Sequence, residues 1–163
     1  MNDGLIRVAA ATPKVKVGDP EWNRERIEEI IKDCEQAGVN LLVFPELCLT
    51  AYTCGDLFGQ EALLASAREQ LMILADETMD VDALIFAGLP LEHGGKLYNT
   101  AAALCRGKIL GLVPKTSIPS YREFYEGRHF VTGPAGVEMI KLGYQEVPFG
   151  ISQLFDCDNV PGL

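Results

Sequence analysis

Two stretches of the sequence share one design: Asn40–Glu46, NLLVFPE, and Ile109–Lys115, ILGLVPK. Each is a short apolar run, typical of a buried strand, that ends in a proline followed by a charged residue. Because proline has no N–H to donate to a sheet, each strand should stop there and leave the charge at its carboxyl end. Ligands of layered α/β folds bind beyond the carboxyl ends of strands. Glu46 and Lys115 are therefore candidates for one site; the alternative is two strand ends exposed to water.

The segments around these stretches alternate between strand-like and helix-like patterns. Asp19 followed by Pro20 is typical of a helix start, and apolar positions then repeat on one helical face until Gly38. A second amphipathic helix is predicted around Leu63–Leu74. The predicted strands are Leu5–Ala11, Asn40–Phe44, Leu84–Ala87, Leu97–Leu104 and Ile109–Val113, with further strands within Glu138–Leu154. This order predicts an α/β layered domain with a mixed sheet, in which Asn40–Phe44 and Leu84–Ala87 are buried on both faces.

Composition narrows the class of protein. The 163 residues are 48% apolar and 23% charged, which is typical of one globular domain, and the net charge is −9. This acidity makes nucleic acid and membrane surfaces unfavourable partners. The N-terminus does not resemble a secretory signal, and five irregularly spaced cysteines with two histidines favour neither a disulfide scaffold nor a metal site. We therefore expect a cytoplasmic protein that binds no metal.

The polar stretch after Lys115 and the cysteines are the remaining candidates for chemistry. The side chains in this stretch that could line a pocket are Tyr121, Arg122, Glu123, Tyr125, Glu126 and His129. The alternative is a surface loop with solvated charges. Covalent catalysis would need a nucleophile, and Cys48 and Cys54 are near Glu46 in sequence. Their apolar surroundings favour buried, unreactive thiols instead.

Three segments carry a family resemblance: LLVFPELCLTAY, GLVPKTSIPSYREFYEGRHF and VPFGISQLFDCDNVPGL. They resemble the nitrilase superfamily, through the glutamate and the lysine that each follow a proline. TAYTCGDLF and YREFYEGRHF are similar to one branch, the N-terminal glutamine amidotransferase domains of glutamine-dependent NAD synthetases. The resemblance extends from the first strand to the last residue. It implies a nitrilase-like α-β-β-α sandwich, with residues 1–163 forming its N-terminal part.

The resemblance also implies a mechanism in which a cysteine attacks an amide carbonyl. Glu46 would be the general base, Lys115 would stabilise the tetrahedral intermediate, and Glu126 would position that lysine. A fixed positive charge in a dry site suits a developing oxyanion. No cofactor is implied for this chain, since ATP and magnesium would belong to the synthetase domain. The residues assigned to the substrate glutamine are Tyr52, Tyr121 and Phe124.

The sequence departs from the family pattern at its end. The family's nucleophile lies on a strand that shortly follows a segment like VPFGISQLFDCDNVPGL, and this chain ends at Leu163. Cys157 comes too early to be that nucleophile. We therefore expect an inactive N-terminal fragment that lacks the nucleophile strand and the synthetase domain. The exposed apolar surface of the isolated chain should make it self-associate, and the resemblance implies a homo-oligomeric parent protein. The alternatives are another nitrilase-type amidase or carbamoylase, and a non-catalytic scaffold or assembly module.

Overall fold

The computed structural model describes residues 5–156, and its elements confirm the predicted α/β class. The strands are β1 (Val8–Ala10), β2 (Leu41–Val43), β3 (Leu84–His93), β4 (Lys96–Cys105), β5 (Lys108–Pro114), β6 (Val137–Leu142) and β7 (Gln145–Gly150). The helices are α1 (Pro20–Gln36) and α2 (Glu61–Glu77), with 3₁₀ segments at Tyr52–Gly59 and Glu126–Arg128. Cys157 lies outside the described residues. Within residues 5–156, no helix is long and apolar enough to cross a membrane.

All seven strands join one mixed sheet in the order β1-β2-β3-β4-β5-β7-β6. The strands β1, β2 and β3 are parallel, whereas β4 is antiparallel to both β3 and β5. As a result β2 and β5 run in the same direction and both leave the sheet toward the same side. Their carboxyl ends therefore lie at the same edge of the sheet. Lys115 comes directly after β5, and Glu46 comes in the loop that follows β2.

The two long helices cover one face of the sheet. α1 begins as predicted, because the Asp19 side chain accepts a hydrogen bond from the Trp22 N–H at 3.2 Å. It ends at Gln36, and Gly38, which follows the Ala37 cap, has a φ of 68° that suits a glycine. The residues shared between the helices and this face form one buried cluster that includes Ile27, Ile31, Leu71, Leu74, Leu42, Ile85 and Leu112. Burial of such side chains typically stabilises a fold by about 1.5–3 kcal/mol each.

The opposite face of the sheet is only partly covered by the described residues. The prediction that Asn40–Phe44 and Leu84–Ala87 are buried on both faces is therefore wrong. Val43 is 42% exposed, whereas its neighbour Leu42 is fully buried, because successive side chains point to opposite faces. The ring of Phe155 crosses the open face and meets Phe86 at 5.6 Å. The described residues thus form one sheet with helices on one side, which corresponds to one α-β half of the expected sandwich.

Several boundaries also differ from the predictions. β1 is three residues long, because its pairing with β2 covers only Val8–Ala10. β3 continues beyond the predicted Ala87 to His93, since it pairs with β4 along its whole length as a hairpin. The hairpin turn has positive φ at Gly94 and Gly95, a conformation that glycine adopts readily. The 3₁₀ segment at Tyr52–Gly59 was not predicted.

The loop that carries Glu46 lies directly on β3. Its amides continue the sheet pairing, with Phe44 N donating to Phe86 O at 2.9 Å and Leu49 N donating to Gly88 O at 3.1 Å. A Cβ atom at position 88 would overlap the Leu47 nitrogen, so glycine is required for this close approach. The β3 strand therefore fixes the path of the loop.

Candidate active site

The ammonium group of Lys115 lies between two carboxylates. Its Nζ atom is 2.8 Å and 3.0 Å from the two carboxylate oxygens of Glu46. It is 2.9 Å and 3.0 Å from those of Glu126. The exposed fraction of the side chain is 4% for Glu126, 27% for Lys115 and 38% for Glu46. The structure therefore brings together the three residues that the sequence analysis assigned to catalysis, with Glu46 the most accessible of them.

Strand β4 connects the two proline-ended segments through Asn99. The main-chain oxygen of Asn99 accepts a hydrogen bond from Lys115 N at 2.7 Å. Its side-chain amide donates to Glu46 Oε1. Asn99 is 4% exposed, and the sequence analysis did not identify it. The sequence offered one signal for Asn99, a polar residue at the start of the small-residue run NTAAAL. This signal does not single out Asn99, because Thr100 is also polar and lies beside it.

Tyr52 reaches Glu126 from the first 3₁₀ segment. Its hydroxyl donates to Glu126 Oε1 at 2.7 Å. The sequence analysis assigned Tyr52 to glutamine; in the structure its hydroxyl binds a carboxylate of the site. Phe58, on the same segment, packs edge to face on Phe130 at 5.0 Å between ring centroids. Arg128 also pairs with Asp56 at 3.0 Å, so the two 3₁₀ segments are joined at several points.

Burial and pairing change the protonation equilibria of this cluster. Burial and the hydrogen bond to Glu126 raise the pKa of Tyr52 above its ordinary value. For Lys115, burial opposes the charged form, but hydrogen bonds to Glu46 and Glu126 outweigh it and raise the pKa. Burial likewise opposes the charge of Glu126, and the hydrogen bonds from Lys115 and Tyr52 outweigh it and lower the pKa. The cluster therefore holds a charged lysine beside a charged Glu126 at neutral pH.

A cleft of about 640 Å³ opens beside Glu46 and Lys115. It extends over the open face of the sheet, where Val43, Phe86 and Val113 form part of its wall. Its lining is mostly apolar, with the charged groups at one end. An amide substrate placed in this cleft would meet a carboxylate and an ammonium group together.

The loop after Lys115 is largely exposed. Tyr121, Arg122, Glu123 and Tyr125 are exposed or half-buried, whereas Glu126 is buried and binds Lys115. The ring of Tyr121 packs against Phe124 at 5.6 Å, and neither ring lines the cleft. Their assignment to glutamine stays a prediction. His129 stacks edge to face with Phe58 at 5.7 Å, as a packing residue would.

Cys48 and Cys54, the cysteines near Glu46 in sequence, do not have the surroundings of a nucleophile. Cys48 is 2% exposed, and burial raises the pKa of its thiol to about 12. Its Sγ atom accepts a hydrogen bond from Gly88 N at 3.3 Å, on β3. Cys54 is 5% exposed, and burial raises its thiol pKa as well. In residues 5–156 there is also no cluster of three or more histidine, cysteine or acidic side chains that could hold a metal ion.

Comparisons with known proteins show the family and the fold of this chain. The family model for carbon-nitrogen hydrolases matches residues 7–154. A glutamine-dependent NAD(+) synthetase of Mycobacterium tuberculosis is 38% identical over 160 residues, which cover 98% of this chain and 24% of that protein. The crystal structure of a glutamine-dependent NAD(+) synthetase from Cytophaga hutchinsonii has a TM-score of 0.83 and 29% identity, covering 89% of this chain and 25% of that one.

An amidase from Nesterenkonia sp. shares the fold, with a TM-score of 0.67 and 22% identity over 88% of this chain and 54% of that one. The chain spans about a quarter of the length of the NAD synthetases that it matches. These likenesses confirm the nitrilase-like fold expected from the sequence. The chain belongs to the carbon-nitrogen hydrolase family.

Proposed function

We propose that residues 1–163 are the N-terminal part of the glutamine-hydrolysing domain of a glutamine-dependent NAD synthetase. The observation that carries the proposal is the Lys115 ammonium group held 2.8–3.0 Å from the carboxylates of Glu46 and Glu126 at one end of the cleft. The similarity to NAD synthetases along 98% of the chain supports glutamine as the substrate.

In this proposal Glu46 is the general base. It is the more exposed of the two carboxylates and lines the cleft, so a substrate and a thiol can approach it. Glu46 takes the proton of a cysteine thiol, and the thiolate attacks the carboxamide carbon of glutamine. The same proton then passes to the leaving nitrogen, which departs as ammonia, and water hydrolyses the thioester to glutamate.

Lys115 stabilises the oxyanion that forms in both steps. Its pKa is raised, so it remains a cation at neutral pH, and its two carboxylate partners hold it at the end of the cleft. A preorganised charge of this kind typically lowers a barrier by about 3–4 kcal/mol. Glu126 fixes the lysine, since its side chain is 4% exposed and bound to Lys115 and Tyr52.

The proposed nucleophile is a cysteine other than Cys48 and Cys54. Both thiols are buried with raised pKa values, so neither forms a thiolate readily at neutral pH. We place the nucleophile on a strand that follows the 163-residue sequence, and we expect the isolated 163-residue chain to release no ammonia. In the parent protein the synthetase domain would use the ammonia and would bind ATP and magnesium. We further propose a cytoplasmic, oligomeric parent protein.

The test is ammonia release by the full-length protein that contains this sequence. We expect release from glutamine, with kcat/KM lowered about 1000-fold in Glu46→Gln. Glu92→Gln is the matched control, because Glu92 is an exposed residue near the end of β3. Unchanged release in Glu46→Gln would contradict the assignment of the base. Faster turnover of aliphatic amides or carbamoyl compounds than of glutamine would contradict the substrate.

A further inference from the structure

Asn99 contacts both members of the Glu46–Lys115 pair from a single position. It is 4% exposed and lies on β4, the strand between β3 and β5. Its carbonyl oxygen binds Lys115 N at 2.7 Å, and its side-chain amide binds Glu46 Oε1. We propose that Asn99 is a positioning residue that orients the Glu46 carboxylate for proton transfer. This inference rests on the proposed function, because it assumes that Glu46 is the base.

The position of Asn99 on the sheet makes it suitable for this role. β4 is a ten-residue strand paired along both edges, with β3 and with β5. Thr100, the next residue, pairs with Pro114 at the end of β5, so Asn99 faces the point where the chain leaves the sheet toward Lys115. A side chain fixed by a central strand keeps its place better than one on a loop. Glu46 and Lys115 both follow strand ends, and β4 supplies the rigid reference between them.

Asn99 also distinguishes the two oxygens of Glu46. Oε1 receives both the Asn99 amide and the Lys115 ammonium, whereas Oε2 receives the Lys115 ammonium, at 3.0 Å, and no hydrogen bond from Asn99. A carboxylate has about four lone-pair sites, so Oε2 keeps more capacity to accept a thiol proton. The terminal torsion of a glutamate is soft, and a single ammonium partner would leave the carboxylate free to rock. Asn99 removes that freedom and keeps Oε2 oriented to accept the thiol proton.

A purely structural role for Asn99 makes a different prediction. If the amide only satisfies a buried group, its loss lowers stability without a selective change in the chemical step. Gln145 provides the matched control, since it too is a side-chain amide that holds main-chain groups. Its Oε1 atom accepts from Ile109 N at 3.0 Å and its Nε2 atom donates to Gly107 O at 3.3 Å, near the opposite end of β5. Gln145→Ala therefore reports what the loss of such an amide does far from the charged cluster.

The experiment compares Asn99→Ala, Asn99→Asp and Gln145→Ala in the full-length protein, with kcat and KM for glutamine and a thermal melt for each. For Asn99→Ala we expect kcat to fall about 100-fold and KM to change less than about threefold. Asn99→Asp keeps the shape but removes the donor and places a carboxylate against Glu46, so its kcat should fall at least as far. Gln145→Ala should lower the melting temperature similarly and keep kcat within about twofold of wild type.

The outcomes separate the inference from the proposed function. If the wild-type protein hydrolyses glutamine and Asn99→Ala retains its kcat, the positioning role is wrong and the proposed function stands. If the wild-type protein does not hydrolyse glutamine, the proposed function fails. The crystal structure of Asn99→Ala then decides the positioning role. A Glu46 carboxylate turned away from its wild-type orientation supports the role, and an unchanged carboxylate overturns it.

Discussion

Glu46 and Glu126 bind the same ammonium group at nearly the same distances, yet their surroundings differ. The Glu126 side chain is 4% exposed and also accepts the Tyr52 hydroxyl at 2.7 Å. The Glu46 side chain is 38% exposed, accepts the Asn99 amide and lines the cleft. Distance to Lys115 therefore does not separate their roles, whereas access from the cleft does. Glu126 is suited to hold the lysine, and Glu46 is suited to meet a substrate.

The two carboxylates also differ in what stabilises their charged forms. A buried carboxylate depends on its partners for the charged form, because an unpaired charge away from water is very unfavourable. Glu126 has that dependence on Lys115 and Tyr52, whereas water can still solvate part of Glu46. Removing Lys115 should therefore lower the stability of the fold, because Glu126 loses its cation. It should also slow the reaction, because Glu46 and the substrate lose the cation beside them.

The largest effect is expected from Lys115→Met in the full-length protein. It removes the cation from both carboxylates, so kcat for glutamine should fall about 100- to 1000-fold. Glu126 would be left buried without a cation, and the free energy of unfolding should fall by about 2 kcal/mol. Kinetics and urea denaturation measure the two effects. Lys141→Met, at an exposed residue on β6, is the control, and equal stability of the two variants would contradict the dependence of Glu126 on Lys115.

A smaller effect should distinguish the two carboxylates by how much each contributes to the stability of the fold as the pH changes. The pKa of Glu126 lies below its ordinary value of 4.5, so its charge stabilises the fold above that pH. This contribution is lost as the pH falls through the lower pKa of the folded state. Glu126→Gln should therefore be less stable than wild type by about 1–2 kcal/mol at neutral pH, with the gap closing below pH 4.5.

Urea denaturation across this pH range measures the gap. Glu46→Gln is the matched control, because its partly exposed carboxylate should contribute less to stability than the buried one. A gap for Glu126→Gln that stays constant from neutral pH to about pH 3 would show that its charge does not stabilise the fold.

The smallest effect is expected from Tyr52→Phe. If the hydroxyl serves Glu126, as its 2.7 Å hydrogen bond indicates, kcat should fall about threefold to tenfold while KM for glutamine stays near its wild-type value. A rise in KM with unchanged kcat would instead restore the direct role in glutamine binding expected from the sequence. Tyr144→Phe is the control, since Tyr144 is exposed and its hydroxyl binds Asp76.

Elementary chemistry was enough to make Glu46 and Lys115 candidates for one site, but it left open the alternative of two strand ends exposed to water. Proline ends both strands, and two strands that run in the same direction bring the residues after their carboxyl ends to one edge of the sheet. Glu126 could be chosen only through the family resemblance, because the fold of the loop after Lys115 depends on tertiary contacts. Asn99 was missed because its role depends on which strand lies between β3 and β5, and local pattern does not reveal strand order.

The backbone conformation near the site could not be predicted from the sequence either. Leu47 and Ala51 have φ values of 53° and 70°, a conformation that sequence patterns assign to glycine rather than to leucine or alanine. Packing holds them there, since both are buried. The 3₁₀ segment after Ala51 was therefore not visible in the sequence, and neither was the direction in which it points Tyr52.

The pairing of the Glu46 loop with β3 has a consequence for motion. The amides of Phe44 and Leu49, on either side of Glu46, donate to β3 carbonyls as strand amides do. Opening of this loop would break sheet-like hydrogen bonds and lift it from Gly88, so these amides should exchange with deuterium as slowly as those of the neighbouring strands. The main chain at Glu46 is then already ordered before any ligand arrives. Its conformational entropy is lost once, when the chain folds, and not again at each encounter with a substrate.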